Sequence, residues 1–441
     1  MFSKLEISVK KYAKRFFISV YSPYVKRFLK GNNQAKVIGV SGSVGKTSTK
    51  FAIEAVLRES GKSVLVHKGA FNDPLASMFV ILEEEYPDVQ SPVSMVRAFF
   101  RVRRAAKRNT DYDYILLELG TDMPGEMAQF AKFLRLDICL VSAITPEHMV
   151  NFRSFDEVAN EELEVLAYSA KIIANKDLVP KKYQNNILTA AGDALWFGTA
   201  SSNDAQVRAG GLVDVGLKTK REIRVKIDGA ETHIKSSLLH LHSGFVVAGA
   251  MLVAKECGIS AVVAVRGLEK LEVAAGRGRL IAGKRGSIII DDSYNNVGAN
   301  VSIASLDLLY EFNTRRRIAV LGGINEMSAD IEQEAHTQVA LHLKEKKLEE
   351  VILIGSLAKK YYKPILATSG MSFRLFSNPY KAGNYLQSKL VAGMVVLVKG
   401  SQNGIYSEEA IKPLLQDSRD EALLVRQSKA WIEKKRKSFG V

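Results

Sequence analysis

From Lys36 onward, short runs of β-branched and aliphatic residues alternate with stretches whose apolar positions recur every three to four residues. The first kind predicts strands at KVIGVS (36–41), YDYILLEL (112–119), DICLVSA (137–143) and KIIANK (171–176). The second kind, KTSTKFAIEAVLRES and SFDEVANEELEVLAYSA, predicts helices between them. The latter opens on Ser154 with Glu157 three residues on, the spacing of a capping box. Alternation of this sort is the pattern of an α/β fold, a parallel sheet covered by helices. Residues 204–240 change to strand-like alternation (REIRVKI, ETHIKSS), an expected antiparallel addition, and a helix is expected over 243–257. A second series begins near Gly276: strand SIIID, helix 299–311, strand RRIAVLG, helix 327–346, strand EEVILIG, helix 379–389 and strand VVLVKG. The expected organisation is a basic amphipathic arm (1–34), a central α/β domain (35–275), a Rossmann-like C-terminal domain (276–420) and a basic tail (421–441). No internal repeat or low-complexity segment interrupts it.

At 47% hydrophobic and 25% charged residues, disordered and collagen-like classes are excluded. Two cysteines, Cys139 and Cys257, each in an apolar stretch, supply neither a disulfide framework nor a four-cysteine zinc site, and a cytosolic location is expected. The N-terminal FFISVYSPYV is too short to span a bilayer, is broken by Pro23 and lacks a small-residue cleavage site. The net charge of +15 is concentrated. Residues 1–30 hold eight Lys/Arg against one Glu, 97–108 hold six against none, and 426–441 hold six against one, which leaves the remainder close to neutral. Interleaved with Phe16, Phe17, Tyr21, Tyr24 and Phe28, the first segment reads as a partly helical arm packed on the body or as a peripheral contact with an anionic membrane. No nucleic-acid-binding motif accompanies it, and no nucleic-acid partner is expected.

Strand 36–41 runs into Gly42, Ser43, Val44, Gly45, Lys46, Thr47 and Ser48, followed by a helical pattern. Glycines let the backbone curl so that its N–H groups face phosphate oxygens, and the helix N-terminus adds partial positive charge. Lys46 then reaches the terminal phosphates and Thr47 can ligate Mg²⁺. The longer phosphate-loop pattern would need Gly at position 40, where Val40 stands, so the match is to a GxxGK[ST] form.

GVSGSVGKTSTK resembles the ATP loop of the Mur ligases, the ATP-dependent amide-bond-forming enzymes of peptidoglycan precursor synthesis. Seven further segments follow in the family's order: FNDPLAS, LLELGTDMPGEM, ITPEHMVNFRSFDEVA, GRGRLIAG, IIIDDSYNN, VLGGINEMSADIEQEAH and LVKGSQN. The DDSYNN, INEM and KGSQ set most resembles the branch that adds D-alanyl-D-alanine to a muramoyl tripeptide. The resemblance implies a P-loop Mur-ligase central domain with a parallel sheet, joined to a Rossmann-like C-terminal domain. It also implies ATP and Mg²⁺ as cofactors, with a muramoyl peptide and D-alanyl-D-alanine as partners.

By the same resemblance, Glu118 ligates Mg²⁺ and His148 lies near a second metal ion. Many Mur ligases carry a carbamylated lysine in the helix after that histidine. Glu162 stands at that position here, and it or Glu161 is expected to supply the charge directly. Arg277, Asp292, Tyr294 and Asn295 match nucleotide contacts, with Asn296 shaping the same loop. Asn325, Glu326, His336, Lys399, Gly400 and Ser401 match the incoming-amine side, and Asn72 of FNDP matches a substrate contact. Three more departures are Gly323 in place of Asp, Gly298 in place of Pro, and Val246 in place of an adenine-contacting Asn. In this branch a UDP-binding domain usually precedes the ATP loop, whereas 35 residues precede the first strand here, so that part is expected to be absent or reduced to the basic arm. Rival expectations are a polyglutamate or folylpolyglutamate-synthase-like ligase, and a nucleotide-binding scaffold that has lost catalysis.

Overall fold

A computed structural model describes residues 4–67, 69, 71–89, 91–146, 151–294, 298–325, 329–346, 348–402 and 404–440, apart from the side chains of 4–11, 92, 191, 329 and 330. The chain forms two compact units. The first comprises Met1–Arg208, Ile223–Ile234 and Gly244–Leu271, and the second Ala209–Glu222, Lys235–Ser243 and Glu272–Val441.

The first unit opens with a long helix α1 (Lys4–Gly31), then β1 (Lys36–Ser41), α2 (Lys46–Glu59), β2 (Val64–Val66), α3 (Pro74–Ile81) and α4 (Pro92–Ala105). It continues through β3 (Tyr114–Glu118), α5 (Met127–Phe130), β4 (Leu136–Val141), α6 (Phe155–Leu163), β5 (Ser169–Asn175), α7 (Lys181–Ala191) and β6 (Leu195–Gly198). Three further strands, β7 (Ala205–Val213), β8 (Lys220–Ile227) and β9 (Ala230–Ser236), each divided between the two units, precede helices α8 (Ser243–Glu256) and α9 (Ala261–Glu269). All nine strands make one sheet in the order β2-β3-β1-β4-β5-β6-β7-β8-β9, and pairing is parallel from β2 through β7. The expected strands are present, and so is the cap: the Glu157 N–H donates to Ser154 Oγ at 3.2 Å, while the Glu157 carboxylate accepts the N–H of Arg153, at 2.6 Å, in place of that of the cap residue. The expectation missed β2 and β6, which at three and four residues are too short to show a period.

Helix α1 is a built-in element of this unit. Its Ile18, Tyr21, Val25 and Phe28, spaced three to four apart, are buried in the same core as α3, α4 and the sheet. Pro23 does not end the helix; it sits on the exposed side, between buried anchors that hold the turns before and after it. Among the described residues no helix is long and apolar enough to cross a membrane.

The second unit holds β10 (Arg279–Gly283), β11 (Ser287–Asp292), α10 (Ala299–Glu311), β12 (Arg317–Leu321), α11 (Ala329–Lys344) and β13 (Glu350–Ile354). Short turns α12 (Gly355–Leu357) and α13 (Lys363–Ala367), β14 (Phe373–Phe376), α14 (Pro379–Lys389), β15 (Val395–Lys399) and α15 (Lys429–Phe439) complete it. Its sheet runs β10-β11-β15-β12-β13-β14, parallel except for the antiparallel β10–β11 edge. Alternate residues of each strand, such as Ile289 and Ile290, enter separate apolar clusters, so both faces are covered, as in Rossmann-like sheets. The C-terminal basic stretch is folded: α15 buries Lys435, whose ammonium meets Glu408 at 2.9 Å and Glu409 at 2.5 Å.

Candidate functional site

Register brings the C-terminal ends of β1, β3 and β4 side by side, with Val40 opposite Glu118 and Ser41 opposite Val141. The loop from Gly42 to Gly45 leaves this edge and enters α2. Gly42 has φ +114, and a Cβ there would lie 2.6 Å from the Ala143 carbonyl oxygen; Gly45, at φ +87, is the residue before the helix. Both positions need glycine. The loop is fastened to the segment after β4: Ser43 N–H donates to Ala143 O at 2.8 Å, and the Thr145 N–H donates to Ser43 Oγ at 2.9 Å. Helices α3, α4 and α6 begin with a side-chain cap from Asp73, Ser91 and Ser154, but α2 has none and no acid in its first turn. Its first N–H groups and Lys46, which donates to the Gly42 carbonyl, therefore form an anion-seeking end.

Thr47 Oγ1 donates to Glu118 Oε1 at 3.1 Å, and both residues are buried. The other carboxylate oxygen lies 3.2 Å from Lys50 Nζ, which also donates to the Gly69 carbonyl at 3.0 Å. Sequence reasoning missed Lys50; its spacing of three from Thr47, which puts both on one face of α2, was the available signal. The neighbouring glutamates of α6 separate cleanly. Glu161 accepts from Thr121 Oγ1 and from the N–H groups of Gly125 and Met127, which ties down the loop after β3. Glu162, fully buried, turns to the phosphate-loop side: its Oε2 accepts Ser41 Oγ–H at 2.9 Å and the Gly42 N–H at 3.0 Å, while Oε1 is buried without a hydrogen bond. A Thr hydroxyl beside a buried carboxylate is a hard-oxygen donor set that suits a cation such as Mg²⁺. Among the described residues no group of three or more His, Cys, Asp or Glu is placed to hold a metal ion, so water and phosphate oxygens would complete the shell, as Mg²⁺ favours. Asn72 packs on Gly120, two residues beyond Glu118, and its carbonyl accepts the Gly120 N–H. His148 lies outside the described residues.

In the second unit, Asp292 and Lys399 are register partners at the ends of β11 and β15 and form a buried ion pair at 3.0 Å. Burial alone would raise the Asp292 carboxyl; the Lys399 ammonium, with His240 at 3.4 Å and the Ser305 hydroxyl, holds it well below the usual carboxylate range. Burial also lowers Lys399, and Asp292 opposes that shift. Next to it, burial pushes Asp291 up to about 6, although Ser293 and the Gly276 N–H donate to it. The sequence reading assigned Asp292 and Lys399 to opposite substrates; the fold joins them directly. The Arg277 guanidinium lies over the Tyr294 ring at 5.8 Å, and Arg426 over the same ring at 5.2 Å. His336 accepts the Ile324 N–H on Nε2 at 2.9 Å, so its Nδ1 carries the proton and donates to the Glu332 carbonyl at 2.6 Å. Ser401 Oγ donates to Gly323 O and accepts the Asn325 N–H, each at 3.1 Å. These bonds frame the loop after β12. Asn295, Asn296 and Glu326 lie outside the described residues.

Residues 40–252 match the Mur ligase middle domain. The D-alanyl-D-alanine ligase named for UDP-N-acetylmuramoyl-tripeptide in Rickettsia prowazekii is 22% identical over 377 residues, 84% of this chain and 76% of that protein. Its counterpart in Bacillus subtilis is 26% identical over 330 residues, 73% of this chain and 63% of that protein. The crystal structure of MurF ligase from Thermotoga maritima in complex with ADP superposes with a TM-score of 0.70 at 19% identity, covering 92% of this chain and 84% of that one. Residues 40–252 therefore carry a Mur ligase middle domain.

Three positions depart from the Mur ligase pattern, and the fold gives a steric reason at Gly323. At Gly323 a Cβ would lie 2.5 Å from Leu357 Cβ, so the usual Asp has no room. Gly298 is extended at φ 170, a conformation that requires no glycine. Val246 is buried in α8 and offers no hydrogen bond to a base.

Proposed function

We propose that this chain is a Mur ligase that uses ATP and Mg²⁺ to join D-alanyl-D-alanine to the terminal carboxylate of a muramoyl tripeptide. The observation that carries the reading is the uncapped, lysine-headed start of α2 beside the Thr47–Glu118 pair, in a chain whose curated relatives bear that ligase's name. Amide formation from a free carboxylate is uphill, so the carboxylate first attacks the γ-phosphorus and ADP departs. The dipeptide amine then attacks the acyl carbon, loses its proton, and phosphate departs.

The N-terminal N–H groups of α2 and Lys46 hold the phosphates in line. Mg²⁺, when bound, neutralises charge spread over the phosphoryl oxygens. Thr47 and Glu118 would hold it, while Lys50 pairs with the Glu118 carboxylate and aims it. Glu162 supplies, against Gly42, the negative charge that a carbamylated lysine brings in many relatives. His148 is assigned to a second metal ion. Arg277, Asp292, Tyr294 and Asn295 are assigned to the nucleotide, and Asn72, Asn325, Glu326, His336, Lys399 and Ser401 to the peptide substrates. Asp292, Lys399 and His336 act there as positioning groups, since each is bonded within the fold. Product analysis tests the reading: ADP, phosphate and the extended peptide should appear in equal amounts, and only with both the tripeptide nucleotide and the dipeptide present. ATP turnover indifferent to both would refute it.

A further inference from the structure

Helices α1 and α4 run side by side in the same direction. The Tyr21 hydroxyl donates to the Met95 carbonyl, Tyr24 meets the Phe99 ring edge-on at 5.7 Å, and Asn32 Nδ2 donates to the Arg108 carbonyl at 3.0 Å. Their outer faces therefore align end to end. At one end both expose large apolar side chains: Tyr12 and Phe16 on α1, and Val93, Val96 and Phe100 on α4, each between 58% and 69% exposed. Between them runs an apolar groove of about 410 Å³ lined by Phe16, Phe17, Val20, Met95, Val96 and Phe99 among others. At the other end the same faces expose cations: Lys26, Arg27 and Lys30 on α1, and Arg103, Arg104 and Lys107 beyond Phe100. No acid occurs between Pro92 and Thr110. Arg101 and Arg108 are engaged by Glu84 at 3.9 and 3.2 Å, while Arg97 stays exposed beside the apolar end.

A solvated helix face is polar along its length; this one is apolar, then uniformly basic. From Phe100 to Lys107 is about 10 Å along a helix, comparable to the depth over which interfacial helices bury their apolar side beneath lipid headgroups. We propose that the paired outer faces of α1 and α4 dock on an anionic phospholipid bilayer. The Tyr12, Phe16, Val93, Val96 and Phe100 end enters the acyl boundary, and the Arg/Lys end meets lipid phosphates. The occupant follows from charge complementarity: a second copy of this face would oppose cations to cations. None of these residues belongs to the phosphate loop or to the second-unit cluster, so the inference is independent of the substrate assignment.

Flotation of the full-length protein with vesicles of phosphatidylcholine, with and without added phosphatidylglycerol, provides the test. Binding is expected only to the anionic vesicles and should fall as salt rises. Arg103→Glu with Arg104→Glu should lower the partition at least about 25-fold, at roughly fivefold per charge removed. Val96→Ser with Phe100→Ser should lower it by about tenfold or more. Because these positions are exposed, unchanged circular dichroism and melting are expected in both double variants. An unbound wild-type protein, equal binding to neutral vesicles, or binding insensitive to both pairs would overturn the proposal. So would a concentration-dependent dimer, in sedimentation, that either pair dissolves.

Discussion

At the residue scale, what the sequence reveals is what is local. Lys46, Thr47 and the two glycines stand within six residues of one another, and their order alone implies phosphate chemistry. Glu162 and Lys50 take their meaning from partners 121 and 68 positions away, which only the β1–β3 register and the seating of α6 bring close. Replacing Glu162 by Gln keeps the shape and removes the charge against Gly42. Mg²⁺-dependent turnover is expected to fall at least about 100-fold with the circular dichroism spectrum unchanged. Lys50→Met leaves the buried Glu118 carboxylate without its counter-charge and should destabilise the first unit by about 3–5 kcal/mol in urea unfolding.

Elements were legible wherever burial imposed a clean period. Helices 299–311 and 379–389 fall where the pattern put them, because each alternates a buried and an exposed side over three turns. The two charged ends were not legible as folded parts, since their cations outweigh their apolar anchors in composition. In α15 the anchor is itself a cation: Lys435 is fully buried between Glu408 and Glu409, about 26 residues earlier in the chain. Lys435→Met is expected to cost about 3–5 kcal/mol, by stranding two buried carboxylates, against less than about 0.5 kcal/mol for the exposed Lys437→Met. In α1, Phe28→Ala should cost about 3–5 kcal/mol, a loss that a loosely attached arm would not produce.

Over the whole molecule, the charge that looked like a general property resolves into one exposed face on α1 and α4 and a folded C-terminal helix, around a nearly neutral body. Stability against pH follows from the adjacent carboxyls at the end of β11. Asp291, raised to about 6, contributes stability below its ordinary value of 3.8 that is lost as pH rises through 6, roughly 3 kcal/mol for a fully buried group. Asp292, held low, contributes stability above 3.8 that is lost as pH falls through its depressed folded value. Between pH 7 and pH 5 the urea midpoint of the wild type should therefore rise relative to Asp291→Asn, whose own profile lacks that slope.

In the proposed reaction one carboxylate oxygen of the substrate leaves with phosphate, by way of an acyl phosphate. A muramoyl tripeptide labelled with ¹⁸O in its terminal carboxylate, turned over with Mg·ATP and D-alanyl-D-alanine, measures this in the mass of the released phosphate. Phosphate carrying one ¹⁸O is expected, with none above background from Lys46→Ala; unlabelled phosphate from the active enzyme would rule the acyl phosphate out.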